Sequence, residues 1–152
     1  MSSTICNITF DCADPAAVAR FWGEVTGLPV IEGTQPGYPD CAVGDGRPRI
    51  YFVKVPEGKA GKNRVHLDVM PGDRTQDEEI ARLIRFGASV FSDQRPDVGW
   101  VIMADPEGNE FCVELSQAEL DAALAAESSE QPQLRGHSAR WISRPAWTKA
   151  AS

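Results

Sequence analysis

The chain has 152 residues, 42% hydrophobic and 24% charged, with a net charge of −7. That suits one soluble domain with a real core and is neither disordered nor membrane-like. No apolar run approaches the roughly 18 residues of a spanning helix. Met1-Ser2-Ser3-Thr4 has neither the basic region nor the apolar segment of a signal peptide, so the expected location is cytoplasmic. The acidity, with no basic stripe in the first 116 residues, argues against nucleic acid or an anionic membrane as partner. Cys6, Cys12, Cys41 and Cys112 lack C-x-x-C spacing and the density of a disulfide scaffold, so reduced, buried thiols are expected.

In chain order, a strand opens with Asn7-Ile8-Thr9-Phe10-Asp11-Cys12-Ala13-Asp14. Asp14 is placed to cap a helix, Pro15 suits its first position, and Gly27 suits the left-handed residue past its end. Val18, Phe21, Trp22 and Val25 form its apolar stripe. β-type runs follow around 28–31, 41–43 and 49–55. From His66-Leu67-Asp68-Val69-Met70-Pro71-Gly72-Asp73 the pattern starts again at the same spacing. Asp73 takes the capping place, Ile80, Leu83 and Ile84 the stripe, and Gly87 the end. Further β-type runs follow around 89–92, 99–104 and 110–115. The order βαβββ, twice, predicts an α+β fold with helices packed on one sheet face.

Alternation along each strand assigns the faces. Cys6, Ile8, Phe10 and Cys12, then Val65, Leu67 and Val69, then Phe111, Val113 and Leu115 are expected under the helices. Asn7, Thr9 and Asp11, His66, Asp68 and Met70, and Glu110, Cys112 and Glu114 are expected on the other face. That face also carries Tyr51 and Trp100, which suits a curved binding surface better than a merely solvated one. Tyr38, in the loop Gly33–Pro39, and Trp100 suit either stacking on a flat ligand or packing.

Residues 117–152 stand outside the repeat. Gln117–Glu130 has Leu120 and Leu124 at i, i+4 and is expected to form a short amphipathic helix that Pro132 stops. Beyond it Arg135, Arg140, Arg144 and Lys149 accompany Trp141, Ile142 and Trp147. An arm packing over the domain or a neighbouring subunit is expected, with His137 at the surface.

Asp105-Pro106-Glu107-Gly108-Asn109 before the last strand resembles the D-P-[DE]-G-N turn of the vicinal oxygen chelate superfamily, whose hallmark is paired βαβββ modules. Ile8–Pro15, Lys62–Asp68 and Asn109–Val113 are similar to its glyoxalase-like branch. The resemblance covers about residues 4–116, as modules of about 4–57 and 62–116, and implies a curved mixed sheet forming a cup with helices outside. It also implies a homodimer and a metal site with ligands from the first, fourth, fifth and eighth strands. Carried over, those positions are Asn7, Tyr51 or Val53, His66 and Cys112, and His66 alone is a good ligand. Three converging protein ligands are the norm for such an ion. The expectation is therefore no cofactor, with Zn, Mn, Ni or Fe as the ions to consider if a metal is held.

The leading reading is a metal-independent small-molecule binder of the bleomycin-resistance kind, taking a flat, largely apolar or aromatic compound. Asn7, Thr9, Tyr51, His66, Asp68, Trp100, Cys112 and Glu114 are the expected binding residues. The competing reading is a glyoxalase-like lyase or isomerase using His66 as metal ligand or general base. Cys112 is open to two roles, a nucleophile activated by the imidazole or a small buried hydrophobe.

Overall fold

The computed structural model describes residues 2–33 and 39–130. The first module runs β1 (Asn7–Cys12), α1 (Pro15–Thr26), β2 (Val30–Glu32), β3 (Asp40–Val43) and β4 (Arg49–Lys54). The second runs β5 (Asp68–Val69), α2 (Gln76–Arg85), β6 (Ser89–Asp93), the short α3 (Arg95–Val98), β7 (Val101–Ala104) and β8 (Glu110–Val113). α4 (Gln117–Glu130) follows. Each module is a four-stranded sheet, ordered β1-β4-β3-β2 and β5-β8-β7-β6. β1 pairs with β4 in parallel, and so does β5 with β8; the other pairings are antiparallel. The repeat expected from the spacing is thus present in the backbone, and both sheets are mixed.

α1 starts where Asp14 accepts from the Ala17 N–H and Pro15 takes the first turn. It ends at Gly27, whose φ of 69° is left-handed. α2 starts differently from expectation. Its N-cap is Thr75, whose hydroxyl takes the Glu78 N–H while the Glu78 carboxylate returns to the Thr75 N–H. Asp73 sits two residues too early and pairs with Arg74 at 2.8 Å. Thr75→Ala should cost about 1 kcal/mol, read as a lower urea midpoint at unchanged m-value.

A single apolar core runs through both modules. Val18, Phe21 and Trp22 of α1, Phe52 of β4, Leu83 of α2 and Phe111 and Val113 of β8 belong to it. The Trp22 ring lies 5.3 Å from Phe111 and 5.8 Å from Phe10, measured between centroids, so the first helix packs directly on the last strand. Two polar contacts reinforce the junction. Trp22 donates through Nε1 to Asp105 at 3.1 Å, and the Glu107 carboxylate accepts from the N–H groups of Ala13 and Asp14. The second contact puts a negative charge beside the N-terminus of α1, where the helix dipole favours it.

Three expectations fail locally. Val65 is 74% exposed, because the chain joins the β8 ladder only at Leu67, whose carbonyl accepts from the Cys112 N–H. Pro71, which has no N–H to give, follows soon after, so β5 is two residues long rather than six. Cys6 precedes β1 and is exposed. α4 forms where expected but presents no buried stripe: residues 121–126 are exposed on every side. Tyr38 and the arm, with His137, lie outside the described residues.

Candidate functional site

Because Phe10, Phe52, Leu67, Val69, Phe111 and Val113 point into the core, the residues alternating with them face away from α1 and α2. This inner face brings together Thr9, Asp11, Tyr51, His66, Asp68 and Cys112. Between β1 and the segment leading into β5 lies a cleft of about 260 Å³, lined by Ile8, Thr9, Phe10, Asp11, Asn63, Arg64, Val65, His66, Leu67 and Asn109. It marks the line along which the edge strands of the two modules meet.

His66 is the hinge of the arrangement. Its Nδ1 lies 2.9 Å from Asp68 Oδ1 and 3.8 Å from Cys112 Sγ. One donor atom from each of His66, Asp68 and Cys112 falls within 4.8 Å of the others. The spacing follows from the sheet: Asp68 is in register with Cys112 across the parallel pair, and His66 is two residues before Asp68 on the same face. Cys112 is 2% exposed. Burial, reinforced by the Asp68 and Glu114 carboxylates, pushes its thiol well above the usual range. At neutral pH the thiol therefore stays protonated and is a poor nucleophile. Glu114 is also raised, by burial and then by Asp68.

Several other expected site residues are engaged by neighbours or lie outside the cleft lining. Asn7 accepts from Arg49 Nε at 3.2 Å through its side-chain oxygen, which sets a guanidinium in the corner where a first-strand ligand would stand. The Tyr51 hydroxyl, buried, donates to Asp40 on β3. Trp100 precedes β7 and is not among the lining residues of the cleft. Glu110 accepts from Lys59 Nζ at 3.1 Å and from the Asn63 N–H at 3.0 Å. Burial opposes its charge, yet these donors hold its carboxyl below the usual range.

This geometry decides which metal the residues fit. The four-strand set implied by the resemblance is not assembled, since Asn7 and Tyr51 are committed to Arg49 and Asp40. His66, Asp68 and Cys112 instead supply one nitrogen, one oxygen and one sulfur, enough for a three-ligand site. That mixture suits zinc and not a hard ion such as magnesium. Asp68 was expected as a binding residue, not as a donor beside His66. That role depends on the register of β5 against β8, which no local sequence signal marks.

A family model described as a glyoxalase-like domain matches residues 7–114. The chain belongs to the glyoxalase-like domain family. No curated protein matches it. Among solved structures, the glyoxalase-like domain resembles a glyoxalase/bleomycin resistance protein/dioxygenase family enzyme from Burkholderia phytofirmans, at 19% identity and TM-score 0.58, covering 73% of this chain and 97% of that one. The fosfomycin resistance protein FosX from Mesorhizobium loti is 14% identical with a TM-score of 0.60, covering 81% and 99%. The trypanothione-dependent glyoxalase I of Leishmania major is 14% identical with a TM-score of 0.53, covering 86% and 99%. At such identities the likeness concerns the fold, that of the vicinal oxygen chelate superfamily. Among the described residues no helix is long and apolar enough to cross a membrane.

Proposed function

We propose that this glyoxalase-like domain binds a small molecule in the cleft between β1 and the lead into β5, with His66 as the recognising group. The observation that carries this reading is that His66 belongs both to the cleft wall and to the His66–Asp68–Cys112 cluster. A volume of about 260 Å³ lies just below the range of drug-sized pockets. The cleft therefore favours a compact, oxygen-bearing ligand over the large flat compound that the aromatic residues suggested. Thr9, Asn63 and Asn109 supply hydrogen-bonding groups around it, and Ile8, Phe10 and Leu67 supply apolar wall.

A second reading rests on the three donors. Zinc held by His66, Asp68 and Cys112 would act as a Lewis acid towards a ligand oxygen. The chain's own residues support a reaction in a simpler way. With Asp68 accepting from Nδ1–H, the His66 ring is held in one orientation with Nε2 as its basic nitrogen, the arrangement required of a general base. A lyase or isomerase that removes a proton beside a carbonyl would use that nitrogen.

The two readings separate in one experiment. Protein purified without chelator is analysed for metals, and its thermal shift is then recorded with zinc and with a panel of small oxygenated compounds. Stoichiometric zinc would establish the metal reading, with affinity falling at least on the order of 10–100-fold in His66→Ala, Asp68→Ala and Cys112→Ala, the loss that even an outer-shell partner causes. If compounds shift the melting temperature without metal, and His66→Ala abolishes the shift, the metal-free binder stands. If neither metal nor compound shifts it, both readings fall.

A further inference from the structure

Three ionisable side chains line the cleft: Asp11 on the β1 wall, and Arg64 and His66 on the wall that leads into β5. His66 Nδ1 is taken up by Asp68, 2.9 Å away. Asp11 and Arg64 are exposed, and among the described residues neither side chain hydrogen-bonds or ion-pairs with the other or with a third group. The cleft thus holds one available negative charge and one available positive charge on opposite walls. Resting on the reading of this cleft as a small-molecule site, we propose that its ligand is a small zwitterion of the α-amino-acid type, its carboxylate on Arg64 and its ammonium on Asp11.

The charges around these two are engaged or lie outside the lining. Lys59 shares a neighbouring cavity with Asp11 but is held by Glu110 at 3.0 Å. Glu107, in that same cavity, accepts from the Ala13 and Asp14 N–H groups. Glu57 is there too and adds to the negative side that Asp11 begins. Lys62 acts electrostatically on Cys112, together with Asp68 and Glu114, and all three lie outside the cleft lining. Their positive and negative charges partly offset one another on that side, which leaves Arg64 as the cation that the cleft itself presents.

Either charge alone would be an ordinary solvated side chain. Their placement across one cleft is what selects a ligand. A carboxylate without an amine gains on Arg64 and loses on Asp11, an amine without a carboxylate does the reverse, and an uncharged ligand gains on neither. A zwitterion gains on both, so the two walls reject as well as attract. Arginine adds shape to charge, because its planar fork matches a carboxylate with two parallel hydrogen bonds. The volume of about 260 Å³ takes a compact molecule, and Ile8, Phe10 and Leu67 in the lining offer apolar surface to a short side chain.

The test compares probes of similar size: L-norvaline, pentanoate, butylamine and pentanamide, which carry both charges, the carboxylate alone, the ammonium alone and neither. Each is titrated into the full chain at low ionic strength, where screening is weakest, and followed by the backbone amide shifts of Thr9, Asn63 and His66. An exposed ion pair changes affinity by up to about five-fold, so norvaline should bind more tightly than either singly charged probe by up to about that factor. Arg64→Gln should bring norvaline down to the level of butylamine, and Asp11→Asn should bring it down to the level of pentanoate. Pentanoate itself should tighten in Asp11→Asn, where its repulsion is gone, which a merely structural loss would not produce. Norvaline binding no more tightly than the singly charged probes would overturn the proposal, and so would an equal loss for every probe in both variants. Pentanamide bound in a His66-dependent way, with no advantage for norvaline, would overturn the zwitterion and leave the cleft as a small-molecule site. No response of these amides to any of the probes would overturn the zwitterion and count against the site as well.

Discussion

Trp22→Ala should remove about 3–5 kcal/mol of folding stability, the cost of deleting a fully buried large aromatic side chain. Trp22 is 1% exposed, and its ring sits among Phe10, Phe21 and Phe111 at 5.8, 5.7 and 5.3 Å. These neighbours come from β1, α1 and β8, so collapse around the void would require both modules to shift. Small domains hold only about 5–15 kcal/mol in all. A urea titration followed by far-UV circular dichroism should therefore show the midpoint fall by about a fifth or more. A loss below about 1 kcal/mol would mean that the two modules do not depend on this shared core. Trp22→Phe keeps most of the ring contact and should cost far less.

The second large effect is expected at Asp105. Its carboxylate, 3% exposed, accepts from Trp22 Nε1, the Glu107 N–H, the Asn109 N–H and Asn109 Nδ2. Asp105→Ala strands these donors in a dry site, at about 1–3 kcal/mol for each that finds no water. A total loss on the order of 3–5 kcal/mol is expected. Asp105→Asn preserves the shape and some acceptor capacity, so it should fall between alanine and wild type. Because Trp22 and Asp105 share one hydrogen bond, their losses should not add. The double variant Trp22→Phe/Asp105→Ala should be less damaged than the sum by about 1 kcal/mol, measured as a cycle. Strict additivity would mean that the indole–carboxylate bond contributes nothing.

The fold was legible because its signals are local and repeated. Equal spacing from Asn7 to Asp14 and from His66 to Asp73, helical stripes and glycine stops place each element independently of the rest. Where an outcome depended on partners distant in sequence, the reading faltered. Val65 continues an alternating pattern, but the ladder that would have buried it begins at Leu67. Asp73 differs for a local reason: it has the right spacing to cap, yet Thr75 with Glu78 forms a capping box that uses both groups. At the site, His66 and Cys112 could be placed by position alone. The role of Asp68 could not, because it depends on the register of β5 against β8. Tyr51 and Asn7 lie at the expected positions, but their commitments to Asp40 and Arg49 arise from neighbouring strands.

The grip of Glu110 on Lys59 and the Asn63 N–H bears on the connection between the two modules. Residues 55–66 join the two halves, and a pair of molecules could trade halves if that connection straightened, each core re-forming from two chains. Straightening would pull Lys59 and Asn63 away and leave a nearly buried carboxylate without its cation, which is strongly unfavourable. The connection between the modules is thus fastened to β8 by a largely buried ion pair and a backbone hydrogen bond.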